Sequence, residues 1–328
     1  MYQSIRFHVP SLALAFLLCA ALLPCHAAGP LVDTNGFEGF APGALQGQQG
    51  WLTAGAGTSS ATVQSAVVHS GGQALTVERT ADSDRRWAKP LVAFLPQRFI
   101  VVDWDARVAS TAATGSFGPF FGVEAYDDSV GNPPGLLGSL GVDATTGDVL
   151  YQAAGTGALT ETGMVASFNT WNHYRLVFDY QTDQYHAFFN GEKLAATGFV
   201  DGSLNLNKIT DVDIATFAAG GDALARSLTG SSQFDNFTVW DGVPGDFDVN
   251  GSVASADLAT WRSAFGSSPL ADSTGDGRSD GADFLIWQRQ LGLNVLGPVG
   301  SITAVPEPAG LTLVLLGALS LYRQRCRR

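Results

Sequence analysis

Cysteine is almost absent from this sequence. Of three cysteines, Cys19 and Cys25 fall within the first 28 residues and Cys326 lies at the far end. The long stretch between them therefore has no thiol for a disulfide or a nucleophile, and its stability must come from core burial or from metal. Charge is also scarce, at 15% Asp, Glu, Lys and Arg, and it is one-sided: 30 acidic against 18 basic residues give a formal net charge of −12. Such a surface repels phosphate backbones and anionic lipid headgroups, so nucleic acid is excluded as a partner. No His-Glu-x-x-His, no Gly-x-Ser-x-Gly and no glycine loop followed by Lys-Ser or Lys-Thr occurs. The histidines between the termini, His69, His173 and His186, do not have the spacing of a metal site.

Glycine and phenylalanine are what the chain has in quantity, 39 and 20 residues in a total of 328. That composition favours a turn-rich all-β body. From about Leu31 to Gly242 the dominant pattern is two-residue alternation. In Phe99 to Val108, Ile100, Val102, Trp104, Ala106 and Val108 point one way and Asp103, Asp105 and Arg107 the other, a strand with one wet face. Tyr174, Leu176, Phe178 and Tyr180 alternate with His173, Arg175 and Asp179, and Asn190-Gly191 closes a hairpin after Tyr185 to Phe189. Further strands are expected at Ala74 to Arg79, Phe120 to Tyr126, Asp148 to Gln152, Ile209 to Thr216 and Phe234 to Trp240. With no helix-length periodicity between them, these strands predict a two-sheet sandwich.

Asn35-Gly36-Phe37-Glu38-Gly39-Phe40, Gly50-Trp51, Trp171-Asn172-His173-Tyr174-Arg175, Phe189-Asn190-Gly191 and Phe234-Asp235-Asn236-Phe237 make this body resemble the concanavalin A-like, laminin-G-like jelly rolls. That fold hosts lectins, carbohydrate-binding modules, glycosidases and structural domains. For catalysis, the nearest acid pairs are Asp211 with Asp213 and Glu124 with Asp127. Ala215 and Thr216 stand where the glycosidase families of this fold carry a third carboxylate, so all four acids are read as solvent-facing strand residues. Sugar binding would need an aromatic platform with polar neighbours, and Trp87, flanked by Arg85, Arg86 and Lys89, is the first candidate, followed by Trp51 and Tyr151.

Asp246 to Gly292 contains one unit written twice, at an offset of 26 residues: Asp246/Asp272, Gly251/Gly277, Ala256/Ala282, Asp257/Asp283, Trp261/Trp287 and Gly266/Gly292 coincide. Each copy opens with an acidic loop. Asp246, Asp248, Asn250 and Asp257 stand at positions 1, 3, 5 and 12 of the first, with Gly251 at 6 for the sharp turn and the carbonyl of Ser252 at 7. The second offers Asp272, Thr274, Asp276, Asp280 and Asp283, with Gly277 at 6 and the carbonyl of Arg278 at 7. Calcium is the expected cofactor, since it takes six to eight oxygens. A helix follows each loop, with Leu258, Trp261 and Phe265 or Phe284, Trp287 and Leu291 on one face and Gly266 or Gly292 as the stop. This stretch resembles a type I dockerin. The resemblance implies calcium binding, but Ser255-Ala256 and Gly281-Ala282 lack the paired hydroxyls of cohesin-binding dockerins, so a cohesin partner is not expected.

The two ends read as targeting segments. Met1 to Ala28 has a basic head with Arg6, an apolar core from Leu12 to Leu23 and small residues near Ala27 and Ala28, the layout of a secretory signal peptide. Val305-Pro306-Glu307-Pro308, an apolar run from Ala309 to Tyr322 and the arginines Arg323, Arg325, Arg327 and Arg328 resemble the PEP-CTERM sorting tail of Gram-negative bacteria, which implies processing by an exosortase and transient contact with the inner membrane. The expected order is signal peptide 1–28, jelly roll 29–242, calcium module 243–294, linker 295–304 and tail 305–328. The expected function is a non-catalytic secreted or envelope protein that binds extracellular polysaccharide or forms matrix. The alternatives are a glycoside hydrolase or polysaccharide lyase on the same fold, or a structural surface protein.

Overall fold

The computed structural model describes residues 30–94, 99–111, 117–248, 250, 252–268, 270–273 and 278–292. The expected leader, linker and sorting tail lie outside these residues. Among the described residues no helix is long and apolar enough to cross a membrane.

Among the described residues sixteen strands, numbered in chain order, form two antiparallel sheets. The first runs β14 (Glu192–Gly198), β13 (Gln184–Phe189), β12 (Asn172–Asp179), β7 (Phe99–Val108), β16 (Gly230–Asp241), β5 (Ala74–Arg79), β4 (Ser60–Gln64) and β2 (Gly43–Ala44), with β1 (Val32–Asp33) also on β16. The second runs β11 (Leu159–Val165), β10 (Asp148–Gln152), β9 (Gly135–Asp143), β8 (Phe120–Asp127), β15 (Ile209–Phe217), β6 (Arg85–Phe94) and β3 (Leu52–Gly55). Their inner faces meet in one core that includes Trp104, Phe121, Val123, Leu140, Leu176, Phe178, Ile214 and Phe234. The body is thus the expected mainly β, jelly-roll-like sandwich. Asn190 (φ 50) and Gly191 (φ 84) form the turn between β13 and β14, where two successive positive φ values match the right-handed twist of the strands.

Two expectations about single faces are corrected. Trp51 (0% exposed) and Trp87 (2%) are core residues, and Tyr151 is half-buried against the same core, so they do not form a sugar platform. The sandwich takes large aromatics inward because they bury the most apolar surface. The polar face of β7 and β12 is not wet either. Asp103 and Arg175 are buried, joined by a 2.7 Å Arg175 Nε–Asp103 Oδ1 bond, and His173 bridges Asp103 and Asp105 at 3.1 Å on each ring nitrogen.

Beyond the sandwich and the short helix α1 (Ala223–Ser227), α2 (Ser255–Ala264) and α3 (Gly281–Gln290) pair around Phe247, Val253, Ala264, Ala271 and Trp287. The sequence repeat becomes a structural one. Trp261 Nε1 donates to the Asp280 carbonyl (2.8 Å) as Trp287 Nε1 does to that of Ala254 (2.9 Å). The Gly266 amide reaches Ser279 as the Gly292 amide reaches Val253. Phe265 and Leu291, expected on the apolar stripes, are exposed, because each helix ends one residue earlier and the chain turns away through a positive-φ glycine.

The second sheet admits no side chain at Gly122, where a Cβ would meet the Leu140 carbonyl and lie 2.6 Å from Gly141 Cα. Gly122→Ala should therefore cost about 1–3 kcal/mol of stability, the usual cost of overpacking, read from the denaturant midpoint.

Candidate active site

The outward face of the second sheet carries a polar row fixed by strand register. Asp213 on β15 pairs with Glu124 on β8, which pairs with Ser139 on β9. One step along the strands, Asp211 pairs with Tyr126; one step the other way, Ala215 pairs with Arg86 and Gly122. Paired residues share a face, so three carboxyls, a guanidinium and a phenol converge. Most of them are out of water: Glu124 is 1% exposed, Asp213 2% and Asp211 9%.

Charge in such a place must be matched. Arg86 Nε donates to Glu124 Oε2 at 2.5 Å and lies 3.0 Å from the Tyr126 hydroxyl, which itself donates to Glu124 Oε2 at 3.1 Å. The Arg86 guanidinium also packs on the rings of Phe217 (5.6 Å) and Tyr126 (6.0 Å), and Phe217 stacks on Phe120. Burial pulls the Arg86 pKa down, but the attraction of Glu124 outweighs it and the group is held charged. Burial, then the charge of Glu124, raises the Tyr126 phenol, so it stays a proton donor.

No second cation serves the two aspartates among the described residues of this row. Burial and the neighbouring Asp128 push Asp211 up to about 6. Asp213 is raised well above the carboxyl range by burial, then by Asp211 and Glu124. A side-chain hydrogen bond joins the pair and favours the proton on Asp213. Asp213 Oδ1 and Ser139 Oγ, on either side of Glu124, are buried polar atoms without a hydrogen-bond partner among the described residues. Burial thus favours the protonated form of Asp213, opposite Glu124 in its pairing with Arg86.

The expected pair of Glu124 with Asp127 is not formed. Asp127 turns away to accept from Ser129, Asn207 and Lys208 amides, a structural role in the turn after β8. Sequence spacing could join Asp211 to Asp213, but Glu124 and Arg86 reach them only through the register of three strands.

The acidic loops lie on the other side of the molecule. Asp246, Asp248 and Asp257 bring ligand oxygens within 4.8 Å of one another, with Asp246 and Asp257 buried. In the second loop Asp272 and Asp283 are buried, Asp280 is half-buried and caps α3, and Arg278 is exposed. Asn250 is exposed and Ser252 half-buried, while Thr274 and Asp276 lie outside the described residues. Buried carboxylates closing on one point, with no cationic side chain among the described ligand positions of the first loop, are a donor set suited to a hard cation.

No family model and no curated protein matches the chain. Solved structures that match include a sialidase (11% identity, TM-score 0.45, 73% of this chain and 21% of that one). Others are an endo-β-1,4-glucuronan lyase from Trichoderma reesei (10%, 0.45, 61% and 93%) and the alginate lyase Aly36B with bound tetrasaccharide (17%, 0.43, 65% and 98%). The chain spans about a fifth of the sialidase and nearly all of either lyase, and the likeness is one of fold. The expectation of a non-catalytic protein is corrected. Glu124, Asp211 and Asp213, read as solvent-facing, are a buried cluster in which burial raises the two aspartates.

Two pH effects follow from these clusters. Asp211 binds its proton more tightly folded than unfolded, so it favours the fold at acid pH and this contribution is lost as pH rises from about 4 to about 6. Asp211→Asn should be more stable than wild type above pH 6, by at most about 3 kcal/mol, with the gap closing below pH 4. On the first sheet, His173 is lowered by burial but raised more by Asp103 and Asp105, to about 9. Its advantage over His173→Gln should be full below pH 6.5 and disappear as pH rises through 9, measured by denaturant titration.

Proposed function

We propose that the chain is an exported enzyme that cleaves extracellular polysaccharide, with its active site on the outward face of the second sheet. The observation that carries the reading is the buried Asp213 directly opposite Glu124, which Arg86 and Tyr126 hold in place. Residues opposite each other on antiparallel strands have Cβ atoms about 4.5–5.5 Å apart, close to the roughly 5 Å carboxyl spacing of retaining glycosidases. In this reading Asp213 gives its proton to the glycosidic oxygen as the bond to the anomeric carbon breaks. Glu124 attacks that carbon, and water then releases the sugar while Asp213 recovers the proton. Asp211 keeps the proton on Asp213 until the leaving oxygen develops charge. Elimination on a polyuronate is a second reading, favoured by the Tyr126 phenol that touches both Arg86 and Glu124.

The leader and the Pro-Glu-Pro tail support export and envelope sorting, with exosortase as a processing partner. The two acidic loops are proposed to take calcium, and the helical module then has a structural role. Activity is tested on a panel of neutral and uronate polysaccharides, with reducing ends and unsaturated products measured together. New reducing ends without unsaturated product support hydrolysis. Asp213→Asn and Glu124→Gln should each lower turnover by about 10²-fold or more with the circular dichroism unchanged. Full turnover in both variants would overturn the assignment.

A further inference from the structure

Arg86 reaches Glu124 across an intervening strand. It pairs with Ala215 on β15, whereas Glu124 is on β8, the next strand over, so the side chain crosses β15 to make its bond. Two inter-strand spacings come to roughly 9–10 Å, and an unbranched side chain that spans them gives up many rotamers. The guanidinium is flanked by rings: its Cζ lies 5.6 Å from the centroid of Phe217 and 6.0 Å from that of Tyr126. Tyr126 is also tied to the ion pair by its hydroxyl, but Phe217 has no polar atom to offer and acts through its ring alone. Phe217 is half-buried, on the same face of β15 as Ala215 and two residues on. Its ring stacks on Phe120, directly opposite on β8, with centroids 4.6 Å apart and planes at 25°. Phe120 is fully buried, and the tip of its ring rests against the paired Gly122 and Gly141: a Cβ at either would lie 2.6 or 2.5 Å from Phe120 Cζ. The glycine pair thus seats Phe120, Phe120 seats Phe217, and Phe217 confines Arg86.

We propose that Phe217 is a positioning residue for the site, holding the Arg86 guanidinium on Glu124 and at a set distance from Asp213. The inference rests on the catalytic reading of Glu124 and Asp213. A cation within about 6 Å of a ring face is attracted by the ring quadrupole, and more strongly out of water, where most of the Arg86 side chain lies. Glu124 fixes one edge of the guanidinium, and the ring of Phe217 fixes where the rest of it sits. The effect extends to Asp213, which is flanked by Asp211 on its own strand, by Glu124 and Tyr126 on β8 and by Arg86 from β6. Among these side chains the charge of Arg86 favours the ionised form of Asp213. A guanidinium released from the ring therefore leaves Asp213 holding its proton to higher pH, and leaves Glu124 less well oriented for attack.

The experiment uses the full chain carrying Phe217→Leu, which keeps an apolar side chain against Phe120 but removes the ring face, with Phe217→Tyr as the conservative variant. Isotope-labelled aspartate carboxyls are followed by NMR through a pH titration, the Asp213 signal being assigned by its loss in Asp213→Asn. Phe217→Leu should move the Asp213 midpoint to higher pH and lower kcat by about ten-fold, with KM changed by less than about two-fold, and Phe217→Tyr should restore both. A lowered Tm with an unmoved Asp213 midpoint in Phe217→Leu would mean a packing role alone and overturns the proposal. A Tyr variant that behaves like the Leu variant overturns it too, since the ring face is then not what matters. The titration does not need turnover. A wild type inactive on every polysaccharide of the panel would therefore refute the catalytic reading, while the Asp213 midpoint decides the role of Phe217 by itself.

Discussion

An ion pair on the outside of a sheet would normally contribute little, because water screens both partners. The Arg86–Glu124 pair is different, since Glu124 is almost fully covered and, among the described residues, pairs with the one guanidinium. Everything else in the cluster follows from that imbalance. With Arg86 committed to Glu124, its attraction for Asp213 is outweighed by burial and by the neighbouring carboxyls, and both aspartates hold their protons more tightly than usual. The phenol of Tyr126 is fixed by the same pair and held in its neutral form. A site with one fixed anion, one stored proton and two unpartnered polar atoms is thus a result of placing three carboxyls beside one arginine.

The two outward faces solve the same problem in opposite ways. On the first sheet, His173 bridges Asp103 and Asp105 and Arg175 pairs with Asp103, so each of these carboxylates has a basic side chain beside it. Their matched charges leave that face free to serve as a seat, and the helical module uses it. On the second sheet the count of charges does not close. The proposed chemistry is placed on this face, where two neighbouring aspartates are raised together by burial and by nearby carboxyls.

Strand positions were legible to a high degree because burial on one face writes a period of two into the sequence. Ala74–Arg79 and Asp148–Gln152 are found at their expected limits, and Asn190-Gly191 is a turn because both residues take positive φ. The loop–helix repeat was visible for a similar reason, since a duplicated pattern needs no tertiary knowledge. What could not be read was pairing between strands far apart in the chain. Glu124 and Asp213 are 89 residues apart, and Arg86 is 38 from Glu124. The alternation of β15 showed that Asp211 and Asp213 share a face, but it could not show that Glu124 lies on the same one. Burial of polar groups on an outward face was equally hidden, because a period of two reads the polar side as wet. Trp87 was misplaced by its neighbours: Arg85 and Arg86 mark it as polar surface in sequence, whereas alternation sends Trp87 to the core and leaves Arg86 to face Glu124.

That adjacency explains why the site is built on β6, β8 and β15 and not at an edge. Trp87 inside and Arg86 outside are fixed by one backbone, so the packing of a large aromatic in the core holds the arginine in register with β15. Val123 and Ile214 do the same for Glu124 and Asp213, each inward residue next in sequence to an outward acid. Rotating any of the three side chains to the other face would take an apolar residue out of the core, at a cost of about 1.5–3 kcal/mol for a residue such as Val or Ile. The precision that acid–base chemistry needs is therefore supplied by hydrophobic packing on the reverse side of the same strands.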